Sequence, residues 1–254
     1  MEPHFDAGLA ANYKSPSQRI RILSENWVNQ EIFCPSCGKD IMKYESNRPV
    51  ADFYCVNCHE DYELKSKKNE FGSKIVNGAY KMMIQRLLSS NNPNLFLLNY
   101  TLDYEIFNFF VIPKYFFVPQ IIEKREPLSQ KARRAGWIGC NIILQDIPQS
   151  GKIFYIKEKH VENKNDVLKN WQKTAFLKKE KDVQNKGWII DIMKCIENLN
   201  KKEFTLTEMY NYESHLQKVY PNNRHIKDKI RQQLQFLRDR NYLEFIEKGK
   251  YRVI

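Results

Sequence analysis

The sequence predicts a mixed α/β chain in two units joined near residue 182, and three observations carry that expectation. The first part alternates helical apolar periodicity with short β-type runs, in the order helix, strand, strand, helix, strand, strand. Two Cys-x2-Cys pairs sit inside that order and predict an inserted zinc ribbon. The remainder carries three helical patterns and then two short strands around Lys248 and Gly249, the order of a winged helix-turn-helix.

Each element has its own signal. From Ser15 to Val28, Ile20, Leu23, Trp27 and Val28 recur at helical spacing, and Ser15 or Ser17 can cap the helix. Residues 48–55 and 60–67 alternate as strands do, 74–90 reads as a helix, and NLFLLNY (94–100) and NFFVIP (108–113) read as buried strands. The stretch 119–135, with KREPLSQKARR, is a basic loop leading into GWIGCNI, and KIFYI (152–156) is a further strand. Residues 157–186 are lysine-rich and polar, a helix trailing into a linker. Beyond it, GWIIDIMKCIENL, TEMYNYESHLQKVY and RHIKDKIRQQLQFLRDRN supply three helices, with a short FTL between the first two. YLEFIEKGKYRVI supplies the wing.

Forty-one Lys and Arg against thirty Asp and Glu leave a formal charge of +11, an excess that attracts phosphate polyanions and makes nucleic acid the leading partner. A lysine-rich, AT-biased genome also produces basic proteins, so charge alone does not decide. Apolar residues make up 42% without an uninterrupted run near the ~20 residues of a membrane span. The opening MEPHFDAGLA lacks the basic-then-apolar order of a secretion leader. A cytoplasmic protein with no membrane partner is expected.

Cys34 and Cys37 are separated from Cys55 and Cys58 by seventeen residues, which is zinc-ribbon spacing. Pro35, Ser36 and Gly38 at the first pair, and Val56 and Asn57 within the second, suit tight knuckles, and a reducing compartment disfavours disulfides. Cys140 and Cys195 stand alone in apolar runs and read as core thiols. His59 follows a complete ligand set too closely to join it and reads as surface. His4, His160, His215 and His225 form no spaced pair.

Within NRPVADFYC, Val50, Asp52 and Tyr54 fall on one face of a strand, and in YELKSK so do Glu63 and Lys65. With Asp52 next to Glu63, two carboxylates can hold Mg²⁺ through hard oxygen ligands, with Lys65 close by. Bound metal polarises a scissile phosphate and lowers the pKa of a water, while a lysine orients that water or helps deprotonate it. A lone D-x10-E-x-K pattern also arises by chance on amphipathic strands. Glu25 on the first helix either braces such a site or is a plain surface carboxylate.

The strings CPxCG, NRPVADFYCxxC and ELKSKK between Tyr13 and Lys68, then ARRAGWIGCNI, KIRQQLQ and GKYR, follow one another in register. Over essentially the whole chain they resemble the DpnI-like, methyl-directed restriction endonucleases of the PD-(D/E)xK superfamily. That resemblance implies a PD-(D/E)xK core with an inserted zinc ribbon over residues 1–182 and a winged helix over 183–254. It implies Mg²⁺-dependent double-strand hydrolysis of DNA at GATC carrying N6-methyladenine. The catalytic centre then falls on Asp52, Glu63 and Lys65, with Leu64 adding its backbone carbonyl to the Mg²⁺ shell. Structural Zn²⁺ falls on Cys34, Cys37, Cys55 and Cys58. The proline-aspartate pair of the motif is loosened, since Pro49 precedes Asp52 by three, but only the aspartate binds metal.

Selecting a methylated adenine requires a small apolar pocket besides hydrogen bonds, because N6-methylation leaves one donor hydrogen and adds an apolar group in the major groove. Trp137, between Arg133 and Arg134 on one side and Gly139 on the other, is the candidate, against a role as buried core. Trp27, Trp171 and Trp188 sit at helical apolar positions and read as core. On the helix from Arg224 to Arg240, Ile226, Ile230, Leu234 and Leu237 form the buried stripe. Arg224, His225, Asp228, Arg231, Gln232 and Gln235 are left to read base edges, with Lys248 and Lys250 on the wing. A monomer is expected, since no spare amphipathic helix offers a dimer seam. Two rival readings stay open: a zinc-ribbon and winged-helix regulator that binds DNA without cutting, and a GATC endonuclease indifferent to methylation.

Overall fold

The computed structural model describes residues 1–45, 51–89 and 92–254. Helix α1 (Pro16–Glu31) opens on a proline, where a missing N–H costs nothing, and buries Leu23, Trp27 and Val28. Strands β1 (Ile41–Lys43), β2 (Phe53–Cys55) and β3 (Asp61–Lys68) form an antiparallel meander. Next come β4 (Lys74–Ala79), α2 (Tyr80–Leu88), β5 (Asn94–Tyr100) and β6 (Ile106–Ile112). Strands β7 (Ile122–Lys124), β8 (Gly139–Ile143), β9 (Ile153–Lys157) and β10 (His160–Val161) then lead to α3 (Lys164–Thr174).

The large sheet runs β1-β2-β3-β5-β6-β9-β10, with β3 and β5 parallel and the other neighbours antiparallel. A parallel pair needs a long crossover, and β4 with α2 occupies it. β4, β8 and β7 make a second antiparallel sheet. The core lies where α1 meets the large sheet: Trp27 is edge-on to Phe109 at 5.2 Å, and Tyr62 stacks on Phe96 at 4.6 Å.

Several expectations shift. The helix expected over 74–90 begins at Tyr80, because Ile75 and Val76 are β-branched, Asn77 and Gly78 are poor helix formers, and β8 offers a partner that sets Ile142 opposite Ile75. Only 53–55 of the strand expected over 48–55 is a strand among the described residues. Residues 48–50 of that expected strand lie outside them, as does Ser90 of the helix expected over 74–90. The basic stretch 119–135 contains β7 and then a hairpin loop. Residues 157–186 break into β10, α3 and a 3-10 turn over Ala175–Lys179.

From α4 (Val183–Asn198) onward the order is β11 (Glu203–Thr205), α5 (Leu206–Tyr210), α6 (Glu213–Val219), α7 (Ile226–Asp239), β12 (Leu243–Glu247) and β13 (Lys250–Val253). The Asp182 carboxylate accepts the Gln184 and Asn185 N–H groups and so caps the start of α4. TEMYNYESHLQKVY, expected as one helix, is two short ones; the first opens on a capping box between Thr205 and Glu208. Gly249 turns the wing at φ +75°, a conformation costly for a residue with a Cβ. This C-terminal part packs on the first: Lys194 pairs with Asp146, Glu197 accepts the Gln149 and Ser150 N–H groups, and Phe176 packs on Phe236 and Tyr242. Among the described residues no helix is long and apolar enough to cross a membrane.

Candidate active site and metal centre

The two cysteine pairs fold into matching knuckles. In one, Cys34 N–H donates to Lys39 O and Gly38 N–H to Cys34 O; in the other, Cys55 N–H donates to Glu60 O and His59 N–H to Cys55 O. The residue closing each knuckle takes positive φ, +73° at Gly38 and +58° at His59. His59 is exposed, as expected, and its place in the chain is conformational. The four Sγ atoms lie within 4.8 Å of one another, with Cys34–Cys58 and Cys37–Cys55 each at 3.4 Å. Tetrahedral zinc with Zn–S near 2.3 Å sets its sulfurs about 3.8 Å apart, so the quartet fits that ion. Burial pushes the Cys34 thiol up, which disfavours a bare thiolate and leaves a bound cation to stabilise it.

The expected catalytic residues flank the second knuckle, Asp52 just before β2 and Glu63 and Lys65 on β3. The register Phe53–Tyr62 and Tyr54–Asp61, continued one step, sets Asp52 across from Glu63. Asp52 N–H donates to Tyr62 O, and Leu64 N–H donates to Asp52 Oδ2 at 2.7 Å. Among the described residues no strand accompanies β3 on this side beyond Tyr62, so the Asp52 carboxylate stands where the next ladder partner would be. The N–H and C=O of one strand residue point the same way, which aims the Leu64 carbonyl at the same open edge. Glu63 and Lys65 share a face, with Lys65 Nζ 2.8 Å from Glu63 Oε1.

Burial pushes the Asp52 carboxyl above its ordinary value; Glu25 and Glu63 push the same way, while the Leu64 hydrogen bond and Arg21 oppose them. Glu25 is 6% exposed and is held by Arg21 at 2.6 Å and Lys43 at 2.7 Å, so it braces the site rather than lying on the surface. A hard divalent cation relieves crowding of this kind, and two carboxylates with a carbonyl suit Mg²⁺, which keeps several waters. No three carboxylates converge among the described residues as the cysteines do. Buried Cys140 on β8, in the second sheet, lies near enough to feel the charges of Lys65, Arg125 and Glu63. Cys195 is also core, its thiol pushed by burial up to about 12.

The loop joining β7 and β8 carries Arg125, Lys131, Arg133 and Arg134, and is closed by Leu128 N–H to Trp137 O and Gly136 N–H to Leu128 O. Trp137 is half-buried. Its ring lies so close to Gly139 that a Cβ there would meet it at 2.8 Å, and the Arg134 guanidinium sits 4.8 Å over it. Trp27, Trp171 and Trp188 are buried, as expected.

Helix α7 starts at Ile226, with Arg224 and His225 just ahead of it. Ile226, Ile230, Leu234 and Leu237 form the buried stripe, joined by Gln233, which no apolar pattern reveals and whose amide donates to Asn185 Oδ1 at 2.9 Å. Arg224, His225, Asp228, Arg231, Gln232 and Gln235 are exposed. Arg231 is paired with Asp228 and also reaches the Tyr210 hydroxyl, while Gln232 accepts from Lys229. On the wing Lys248 is free in solvent, but Lys250 is drawn to Glu203 at 3.3 Å, where Arg252 also binds.

Sequence reasoning missed Glu60. Buried beside the second knuckle, it holds Lys178 at 2.6 Å and Lys114 at 2.9 Å, and accepts from the Asn94 amide. Only its position two residues after Cys58 hints at this.

Comparison with protein-family models finds two matches: the model described as DpnI, Dam-replacing family, over residues 1–180, and the Dam-replacing HTH domain over residues 184–253.

Proposed function

This chain belongs to the DpnI, Dam-replacing family, and from that membership we propose that it is a methylation-dependent restriction endonuclease cutting double-stranded DNA at GATC that carries N6-methyladenine. Residues 1–182 form the PD-(D/E)xK catalytic unit, with structural zinc on its four cysteines, and residues 183–254 form a winged helix that also reads the site. The protein acts as a monomer. One observation carries the reading: at the open edge of β3, the Asp52 carboxylate, the Leu64 carbonyl, Glu63 and Lys65 lie within two residues of one another along the strand pair.

Asp52, Glu63 and the Leu64 carbonyl hold Mg²⁺, which when bound polarises the scissile phosphate and acidifies a water. Lys65, held by Glu63, would orient the attacking water and counter the charge building on the phosphate. Glu25 holds Arg21 and Lys43 in place and keeps the Asp52 region negative. The Arg133 and Arg134 loop grips backbone phosphates, and Trp137, fixed between Arg134 and Gly139, offers an apolar edge for the methyl group. Arg224, His225, Asp228, Arg231, Gln232 and Gln235 enter the major groove from α7, with Lys248 and Lys250 on the flanking backbone.

The deciding experiment is side-by-side digestion of methylated and unmethylated GATC duplex with Mg²⁺. The expected result is cutting of the methylated duplex by wild type and none by Asp52→Asn. Equal cutting of both duplexes removes methyl selectivity. No cutting, with Mg²⁺-independent binding, turns the chain into a regulator.

A further inference from the structure

A cleft of about 320 Å³ lies between the start of α1 and the far end of β3, lined among others by Lys14, Arg19, Lys68, Tyr100 and Tyr104 and by no carboxylate. Its charge is uncompensated. Lys43, Lys65, Lys74, Lys114 and Lys178 each face a carboxylate, yet among the described residues Lys14, Arg19 and Lys68 face none. Arg19 Nε is moreover a buried donor without a hydrogen-bond partner, a state that costs free energy until an acceptor arrives.

The walls are already set. Tyr100 sits opposite Lys68 in the β3–β5 register, and its ring packs on Phe5 at 5.7 Å; Tyr104 packs on the same ring at 6.4 Å. The cleft also has a fixed place relative to the cutting centre. Lys68 follows Lys65 by three residues on one strand, about 10 Å at the usual rise, and its side chain falls on the opposite face, the one shared with Ser66 against α1. Helix α1 runs alongside, with Ser24 Oγ 3.4 Å from Ser66 Oγ and, one residue on, Glu25 near Asp52. One helix and one strand therefore carry both the cutting residues and this cationic cleft.

We infer that the cleft is a phosphate subsite that takes a backbone phosphate of the DNA on the flank of the cut, with Arg19 and Lys68 on its oxygens and Lys14 at the lip. The identity of the partner rests on the nuclease reading; the anion-binding chemistry does not. A contact here adds affinity without sequence information and aligns the strand along β3.

The test uses the full zinc-loaded chain carrying Asp52→Asn, a methylated GATC duplex, and binding measured by anisotropy from 50 to 200 mM KCl, the span over which ~6–10 phosphate contacts change affinity by orders of magnitude. Adding Arg19→Gln with Lys68→Gln is expected to make the slope of log K against log salt shallower by about 0.9, one phosphate, with the preference for methylated over unmethylated duplex unchanged. Lys169→Gln, on the exposed side of α3, is the control and leaves the slope as it was. Lys68→Glu, at an exposed position, repeats the test without touching α1. A slope no shallower than that of the control overturns the subsite. So does a free-phosphate site, seen as inorganic phosphate raising the thermal midpoint of the parent but not of the variants while the duplex slope stays put. Wild type that cuts while the slopes stay equal loses the subsite and keeps the nuclease; wild type that does not cut while the slope falls does the reverse.

Discussion

The cysteine quartet and the Asp52 centre are built from the same turns of chain, yet one is closed and the other open. Four sulfurs converge within 4.8 Å, each on a knuckle whose own backbone hydrogen bonds hold it. At the proposed cutting centre two carboxylates sit at a strand edge, one occupied by Leu64 N–H and the other by Lys65, and burial makes ionising Asp52 unfavourable. A closed donor set satisfies an ion by itself and contributes folding energy; an open one is left incomplete for water and substrate. The lesson is that the closed set anchors the same short stretch of chain that presents the open one, Asp52 lying three residues before Cys55.

The strongest way to break this contrast is to remove zinc by chelation, or to make Cys55→Ser. Asp52 lies three residues before Cys55 and pairs through Tyr62, so cleavage is expected to vanish even with Mg²⁺ restored, and the thermal midpoint to fall by the equivalent of several kcal/mol. Full activity after verified zinc loss would show the two sites to be independent.

Asp52→Asn probes the opposite side. It is expected to abolish cutting and yet raise the thermal midpoint of the divalent-free protein. A carboxyl whose folded-state value lies above its unfolded one loses stability as pH rises through that folded value, and the amide does not titrate. The gain should therefore grow from the acid range towards neutrality in calorimetric scans, and a pH-independent difference would contradict it. Glu25→Gln gives a smaller effect: with one negative neighbour gone, Asp52 becomes more acidic, and the acid limb of Mg²⁺-dependent cleavage moves to lower pH. The smallest concerns the knuckles alone. His59→Gly relieves a left-handed side-chained residue, and chemical denaturation should register a gain of up to ~1 kcal/mol with cutting unchanged.

Much of this was legible from local signals. NLFLLNY is a strand over the expected residues, its apolar run over 95–98 lying between β3 and β6 and every side chain but the last buried. The cysteine spacing and the face shared by Glu63 and Lys65 follow from backbone periodicity. What was not legible depends on distant partners. Residues 74–79 are a strand because β8, more than sixty residues away, pairs with them. Gln233 is buried because Asn185 meets it, and Glu25 is enclosed because Lys43 reaches it from β1, a strand with no pattern of its own. On α7 only the exposed face was legible: the pairing of Arg231 with Asp228 depends on rotamers that no spacing encodes.

Glu60 has a consequence of another kind. One carboxylate joins the second knuckle, β5, the turn after β6 and the stretch before α4, and it does so through two lysines. Such an arrangement is redundant on one side only. Either ammonium group can be lost and the anion keeps a counter-charge, whereas losing the anion leaves both lysines without it and the Asn94 amide with the Asp61 carbonyl alone. A change at Lys114 or Lys178 therefore thins the junction, while a change at Glu60 removes it. A single acidic residue, absent from every motif, ties four stretches of this chain together.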